Sequence, residues 1–170
     1  MNLEDRCKNV ELMIADVDGV LTDGGIIFDN QGIEIKRFHS RDGFGIKVWR
    51  RCGFHFGIIT ARTSHIVKVR AAELGINVLR QGFEDKLPAA REIFNELRVA
   101  PGQVAYVGDD LPDLAVMRHI GVPIAVADAA EEVRAGAAYV TQARGGYGAV
   151  REAIELVLKA KGLWDDIVAR

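Results

Sequence analysis

The sequence predicts an α/β protein, a Rossmann-like three-layer sandwich in which helices cover both faces of a central, mostly parallel sheet. Two observations carry this prediction. Short apolar runs bounded by Gly, Asp or Pro alternate with segments of helical apolar spacing along most of the chain, which is typical of parallel sheets. The 170 residues also fit one domain, since a chain of this length buries roughly two-thirds of its unfolded surface. We therefore expect a single domain over residues 1–170.

The predicted elements follow one another in a regular order. The short apolar runs, predicted to be buried strands, are residues 12–15, 56–59, 76–79, 104–107, 122–126 and 138–140. The segments with apolar residues three and four apart, predicted to be helices, are residues 43–51, 64–74, 87–97, 111–119, 130–135 and 149–161. Ligands of such sheets gather beyond the carboxyl ends of the strands, so residues that follow strands are the functional candidates.

One segment breaks this alternation. About residues 24–38 an apolar run is followed by the turn-forming residues 29–32 and then by an alternating apolar and charged stretch. This pattern predicts a projecting β-hairpin. Isolated hairpins are only marginally stable, and Ile33 and Ile35 would lie on a wet face. We therefore expect the hairpin to pack against copies of itself in an oligomer.

Composition excludes several classes of function. The chain is 49% hydrophobic and 27% charged with a formal net charge of -2, and no run of Lys and Arg points to nucleic acid. No apolar stretch approaches the ~20 residues of a membrane span, and acids near the amino terminus are unlike a signal peptide. Cys7 and Cys52 are too few for a disulfide framework and too far apart for a metal knuckle. We expect a cytoplasmic protein without a membrane partner.

Two carboxylates follow the first predicted strand. Asp16 and Asp18 lie two residues apart at the carboxyl edge of the sheet, where both can reach one cation. Phosphate monoesters hydrolyse very slowly without a catalyst, and one solution is an aspartate nucleophile assisted by a hard metal ion. Asp16 would attack phosphorus, while Asp18 would first protonate the leaving oxygen and then activate water. The ordinary alternative is that both residues cap a turn.

Side chains that could bind phosphate or a metal ion follow two other predicted strands. Thr60 offers a hydroxyl group to a phosphate, and Asp109 offers the oxygen ligands that Mg²⁺ prefers, with Asp110 and Asp113 as supporting residues. Lys86, at the start of a predicted helix, could neutralise the nucleophile and the phosphate. Taken singly, the threonine could be a helix cap, the lysine a solvated side chain and the acids a helix start. Their order at successive strand ends favours one shared site.

These residues resemble the motifs of a known superfamily. The four motifs of the haloacid dehalogenase superfamily of phosphatases are matched at residues 16–19, Thr60, Lys86 and residues 108–113. The resemblance implies an aspartyl-phosphate on Asp16 and an acid/base role for Asp18. It also implies Mg²⁺ held by the side chains of Asp16 and Asp109 and the backbone carbonyl of Asp18, with Thr60 and Lys86 holding phosphate. The intervals between the motifs leave no room for a cap domain.

Further segments resemble one capless branch of that superfamily. The 3-deoxy-D-manno-octulosonate 8-phosphate phosphatases of lipopolysaccharide biosynthesis are similar at residues 21–24, 38–46, 58–62, 104–113 and 145–152. The resemblance implies hydrolysis of this octulosonate phosphate to the free sugar acid and phosphate. It also implies a homotetramer whose hairpins meet at the centre. The glycine-rich tails, here within about residues 143–170, are implied to reach a neighbour's active site.

Arg62 bears on the substrate. A guanidinium can bind the carboxylate of a sugar acid through two hydrogen bonds, and nonulosonate 9-phosphate phosphatases of the same group tend to carry Glu at the position of Arg62. Arg62 therefore favours the octulosonate, although a surface arginine that begins a helix is the ordinary interpretation. Arg70, farther along the predicted helix, is the second candidate for binding the substrate.

Three other interpretations stay open at this level. The chain could act on a related sugar-acid phosphate such as a nonulosonate 9-phosphate, or it could be a non-catalytic assembly module. An open site could also accept a nucleic-acid end, although the slightly acidic chain argues against this.

Residues 143–148 could be a flexible connector. We nevertheless expect that deletion from Gly145 onward lowers turnover far more than it lowers folding stability.

Overall fold

The computed structural model describes residues 2–169 and confirms the predicted fold class. Met1 and Arg170, the two ends of the predicted domain, lie outside the described residues. The strands are β1 (Leu12–Ala15), β2 (Ile27–Phe28), β3 (Glu34–Ile35), β4 (His55–Thr60), β5 (Val78–Gln81), β6 (Val104–Gly108), β7 (Val122–Ala125) and β8 (Tyr139–Val140). The helices are α1 (Leu3–Lys8), α2 (Ser40–Arg51), α3 (His65–Glu73), α4 (Lys86–Leu97), α5 (Leu114–Met117), α6 (Glu131–Gly136), α7 (Ala149–Ala160) and α8 (Trp164–Val168).

Six strands form a parallel sheet in the order β5-β4-β1-β6-β7-β8. Strand β1 lies at its centre, where all four residues are buried, and Ala15 at its end pairs with Ile58 of β4 and Val107 of β6. The carboxyl ends of parallel strands meet at one edge of a sheet. The loops after β1, β4 and β6 therefore lie side by side, which is the arrangement that the candidate residues require.

The remaining two strands form the predicted hairpin. Ile27 of β2 pairs with Ile35 of β3 in antiparallel register, and the carboxylate of Asp29 accepts hydrogen bonds of 2.8 Å from the backbone N–H groups of Gln31 and Ile33. The hairpin carries large apolar side chains that are 44–56% exposed, namely Ile26, Ile27, Phe28, Ile33 and Ile35. The expectation of a wet apolar face on this hairpin is confirmed for the isolated chain.

The structure differs from the predicted elements at several places. Helices α1 and α8 are absent from the prediction, and α2 begins three residues early because the side chain of His39 caps it by accepting from the Arg41 N–H. The predicted helix over residues 111–119 is wrong as a single element. A 3₁₀ turn at Leu111–Asp113 precedes the four-residue α5, because Asp113 turns back toward the end of β6 instead of facing outward.

Helix α7 supplies much of the packing against α2. Its apolar face is fully buried and comprises Ala149, Val150, Ala153, Ile154, Val157 and Leu158. Deletion from Gly145 onward removes this helix from the core, so we expect it to lower folding stability as well as turnover. No helix within residues 2–169 combines the length and the apolar character that crossing a membrane demands.

Candidate active site

Three carboxylates converge at the carboxyl edge of the sheet. Asp16 follows β1 and Asp109 follows β6, while Asp113 lies at the end of the 3₁₀ turn. One oxygen atom from each of the three carboxylates lies within 4.8 Å of the other two. The backbone N–H of Asp16 donates to Val107 O at 3.1 Å, which extends the ladder between β1 and β6 by one residue. The structure thus brings together acids that are far apart in the sequence.

Lys86 joins two of these acids. Its Nζ lies 2.8 Å from Asp16 Oδ2 and 2.7 Å from Asp113 Oδ1, and its side chain is only 2% exposed. The carboxylate of Asp85 caps α4 by accepting from the Leu87 N–H, so Lys86 is the first residue of that helix. The alternative of a solvated lysine is excluded by this burial. Lys86 instead stands where it can balance the charge of Asp16.

Asp113 is held from several sides. Its Oδ1 accepts from Lys86 and from the hydroxyl group of Tyr106 at 2.7 Å, and its Oδ2 accepts from the backbone N–H groups of Asp109 and Asp110 at 2.9 and 3.2 Å. Since both oxygens are engaged by donors, Asp113 serves best as a support for Lys86. Tyr106 is not identified from the sequence. The feature that could have indicated it is a tyrosine in a buried strand, because a buried tyrosine hydroxyl group usually needs a hydrogen-bond partner.

The electrostatics of the cluster favour a bound cation. Burial, reinforced by the charges of Asp16 and Asp113, raises the pKa of Asp109 to about 8. Burial also raises the pKa of Asp16 to about 6, because the attraction of Lys86 only partly offsets the loss of hydration. Asp109 Oδ1 is buried and has no hydrogen-bond partner among the described residues. A buried, unpaired carboxylate oxygen is costly unless it coordinates a metal ion.

Gly19 keeps space open beside this oxygen-lined cluster. Its φ of 90° lies in the left-handed region, and a Cβ atom placed on it would overlap the carboxylate of Asp109. Glycine is therefore required here both for the backbone conformation and for the close approach. The residues present, which offer only oxygen donors with excess negative charge, fit a hard cation such as Mg²⁺.

Asp18 has a different environment. Its side chain is 18% exposed, and its Oδ1 forms an ion pair with the ammonium of Lys36, which follows the hairpin strand β3. The Nε atom of Arg62 lies 3.9 Å from Asp18 Oδ2. Glu34 of β3 binds both cations, each at 3.1 Å. Sequence reasoning missed Lys36 and Glu34, whose only signal was the alternating pattern of the hairpin.

The other predicted residues lie as follows. Thr60 ends β4 and is 2% exposed, and the side chain of Arg62, two residues later, is 42% exposed. Asp110 is exposed and caps the following 3₁₀ turn by accepting from the Leu111 N–H. Arg70 is not brought to the acids, because its guanidinium binds Glu73 at 2.8 Å and lies over the ring of Phe38.

The glycine-rich segment packs against its own chain. The Gly146 N–H donates to Val20 O at 2.9 Å, and the Gly145 N–H donates to Asp128 Oδ1 at 2.9 Å. A Cβ atom on Gly145 would overlap the carbonyl group of Gly19. The flexible-connector interpretation is wrong for these residues. The two glycines lie on the loop that follows Asp16 in the same chain.

Comparison with known proteins gives consistent results. A family model described as haloacid dehalogenase-like hydrolase matches residues 59–154. The chain is 46% identical over 161 residues to the 3-deoxy-D-manno-octulosonate 8-phosphate phosphatase KdsC of Escherichia coli, which covers 95% of this chain and 86% of the relative. It is 47% identical over 156 residues to the protein of the same name from Yersinia pestis, which covers 92% and 83% of the two chains.

Solved structures agree in fold. The phosphatase of the same description from Moraxella catarrhalis, crystallised in complex with a magnesium ion, a phosphate ion and KDO, has a TM-score of 0.96 at 42% identity and covers 98% of this chain and 95% of that one. The Yersinia pestis structure has a TM-score of 0.95 at 45% identity, with 96% and 88% covered. The predicted resemblance is thereby confirmed, and the chain belongs to the haloacid dehalogenase-like hydrolases, in the family of the 3-deoxy-D-manno-octulosonate 8-phosphate phosphatases.

Proposed function

We propose that this protein is a magnesium-dependent phosphomonoesterase that hydrolyses 3-deoxy-D-manno-octulosonate 8-phosphate to the free sugar acid and phosphate. The observation that carries the proposal is the convergence of Asp16, Asp109 and Lys86 at one edge of the sheet. The relatives that are 46% identical over 95% of the chain are phosphatases of this octulosonate. The reaction belongs, by that resemblance, to the synthesis of lipopolysaccharide.

The side chains of Asp16 and Asp109, with the backbone carbonyl of Asp18, would hold the magnesium ion. The partnerless buried oxygen of Asp109 supports this assignment. The magnesium ion in the Moraxella catarrhalis structure supports the choice of ion. When bound, the ion neutralises charge on the phosphoryl oxygens. Lys86 adds a second positive charge, which Asp113 and Tyr106 keep in place.

Asp16 is the proposed nucleophile and Asp18 the proposed acid and base. A carboxylate oxygen of Asp16 bonds to phosphorus while the bond from phosphorus to the sugar oxygen breaks, and Asp18 gives that oxygen a proton. Water then attacks the aspartyl-phosphate and gives a proton to Asp18, which releases phosphate and restores both carboxyl groups. The hydroxyl group of Thr60 would donate a hydrogen bond to a phosphoryl oxygen during both steps.

Arg62 is the proposed partner of the substrate carboxylate. Its guanidinium is partly exposed beside Asp18, so it can donate two parallel hydrogen bonds to the carboxylate of the sugar acid. Arg70 is the second candidate for this contact, and its guanidinium binds Glu73 and lies over the ring of Phe38. A nonulosonate phosphate would differ from the octulosonate in its contacts with Arg62 and not in the contacts of its phosphate group.

We also propose that the chain forms a single phosphatase domain without a cap and that it assembles into a homotetramer in the cytoplasm. The five exposed apolar side chains of the hairpin supply a surface for self-association. A neighbouring subunit would then exclude water from an otherwise open site. The two cysteines, Cys7 and Cys52, are unpaired, which suits a reducing compartment.

A substrate panel tests the proposal. Phosphate release is measured on sugar phosphates that include the octulosonate and a nonulosonate, with magnesium and with a chelator. We expect the octulosonate to have the highest kcat/KM, and we expect chelation to abolish turnover reversibly. Asp16→Asn should lower kcat at least about 10³-fold, since it removes the nucleophile, whereas Asp165→Asn on the exposed surface of α8 should leave kcat unchanged. Turnover near wild type in Asp16→Asn contradicts the mechanism, and a better nonulosonate contradicts only the substrate.

A further inference from the structure

The hairpin places a lysine inside the candidate active site. Lys36 follows β3, and its side chain is only 1% exposed. Its ammonium contacts Asp18 Oδ1 and lies 3.1 Å from Glu34 Oε1. A charged side chain is almost never buried in this way unless it is paired. The burial of Lys36 is therefore explained by its two carboxylate partners, one of which is the proposed acid and base.

Glu34 fixes the position of this lysine. Its Oε2 accepts a hydrogen bond of 2.6 Å from the hydroxyl group of Ser64, and its Oε1 accepts from Arg62 at 3.1 Å. Both donors belong to the loop that follows β4. The hydrogen bond from Ser64 is the largest cause that lowers the pKa of Glu34, so this carboxylate stays charged. The first residue of β3 is thereby anchored to the loop at the carboxyl edge of the sheet.

Asp18 depends on this anchor for its orientation. The second ion pair of Asp18 among residues 2–169 is the one with Arg62, at 3.9 Å, which is longer than a hydrogen bond. Arg62 is also the proposed partner of the substrate carboxylate. The contact with Lys36 is thus the one that can hold the carboxyl group of Asp18 while the substrate occupies Arg62.

We propose that Lys36 is a positioning residue that holds the carboxyl group of Asp18 toward the leaving oxygen of the substrate. This inference rests on the proposed function, because it assumes that Asp18 donates the proton. It gives the hairpin a second task beside self-association. The apolar outer side chains face solvent or another subunit, while Lys36 reaches inward to the reacting groups.

The nature of the leaving group separates this role from a general structural one. An alkoxide such as a sugar oxygen needs a proton as it departs, whereas p-nitrophenolate is stable enough to leave without one. A misplaced Asp18 therefore slows formation of the aspartyl-phosphate on a sugar phosphate far more than on p-nitrophenyl phosphate. Damage to the nucleophile or to the metal site slows both reactions equally.

The experiment measures release of the leaving group in a single turnover, with enzyme in excess over the sugar phosphate best used in the panel or over p-nitrophenyl phosphate. The quantity compared is the rate on the sugar phosphate divided by the rate on p-nitrophenyl phosphate. Lys36→Met should lower this ratio at least about tenfold, within the range of general acid catalysis. Lys36→Arg, which keeps the charge, should restore it to within about threefold of wild type. Lys68→Met, an exposed control in α3, should leave both rates unchanged.

Asp18→Asn distinguishes failure of the proposed acid role of Asp18 from failure of the positioning role of Lys36. If this variant leaves the ratio unchanged, the acid role in the proposed function fails. If it lowers the ratio and Lys36→Met does not, only the positioning role is overturned. Circular dichroism checks folding. Should Lys36→Met fail to fold, Glu34→Gln weakens the same anchor without removing the ammonium, and an unchanged ratio in that variant overturns the inference.

Discussion

The carboxylate of Asp42 in α2 accepts a hydrogen bond of 2.7 Å from the backbone N–H of Arg151, the third residue of α7. First-turn N–H groups have no partner within their own helix, and Gly148, which precedes α7, has no side chain to cap it. Asp42 therefore does the work of an N-cap from a different helix. This contact couples α2 to α7, the two helices that pack against each other beside the sheet.

Replacement of Asp42 should destabilise the fold. We expect Asp42→Ala to lower the free energy of unfolding by about 2 kcal/mol, because it removes a cap and leaves a buried N–H unsatisfied. Asp42→Asn keeps an acceptor oxygen and should cost less than about 1 kcal/mol. Urea denaturation measures both values. Asp166→Ala, an exposed control in α8, should have a free energy of unfolding within about 0.5 kcal/mol of wild type. If Asp42→Ala lowers the free energy of unfolding no more than this control does, Asp42 does not cap α7.

A methyl group on Gly19 should damage the site more than it damages the fold. Gly19 and Gly53 have nearly the same φ, 90° and 92°, so an alanine strains the backbone similarly at both. Only at Gly19 would the Cβ atom meet the carboxylate of Asp109. We expect Gly19→Ala to lower kcat/KM about 10²-fold, the effect of a misplaced reacting group. Gly53→Ala is the matched control in phosphatase assays, and a similar loss in that variant would attribute the effect to strain alone.

Magnesium should stabilise the chain more at alkaline than at acidic pH. The pKa values of Asp109, about 8, and Asp16, about 6, are raised by burial above their ordinary value. The metal-free fold therefore prefers the protonated forms, and the stability they contribute, complete below pH ~4, is lost as the pH rises through 6 and 8. A cation that binds the ionised carboxylates reverses this loss.

The measurement is the Tm with chelator and with magnesium at pH 5 and at pH 8. At roughly 100 times its Kd, magnesium adds about 2.7 kcal/mol, which corresponds to about 5–10 °C for a chain of this size. We expect that shift at pH 8 and a smaller one at pH 5, where protons compete for the carboxylates. Asp109→Asn should remove most of the difference. Equal magnesium shifts at both pH values would show that these carboxylates do not hold the ion.

A charge on the hairpin should break the assembly. Phe28 is 54% exposed in the isolated chain, and a glutamate there would have to be buried if hairpins meet at the centre of a tetramer. We expect Phe28→Glu to reduce the mass seen by light scattering at micromolar concentration, with an unchanged circular dichroism spectrum. Val69→Glu is the matched control, because Val69 is also 54% exposed but lies in α3. A wild-type monomer would rule out the tetramer.

The parts of the site that follow from local pattern could be predicted from the sequence. Asp16 and Asp109 follow buried apolar runs, and the parallel arrangement of those runs is enough to bring the two acids together. Tyr106 and Lys36 could not be found in this way. Their roles depend on which side chains face them across strands and loops, and no periodicity in the sequence records that.

Errors in the prediction have similar physical causes. The predicted helix over residues 111–119 ignored the several donors that draw Asp113 back toward β6. Helices α1 and α8 have six and five residues, too few turns for a clear apolar period.

The contact between Gly145 and the loop at Gly19 joins parts of the chain that a ribosome makes at very different times. Synthesis proceeds from the amino end, and domains generally begin to fold as they emerge. A nascent chain that has already exposed Asp16, Lys86 and Asp109 still lacks the glycines that complete the loop after the nucleophile. The loop after the nucleophile can therefore reach its final packing only after residue 146 has been translated.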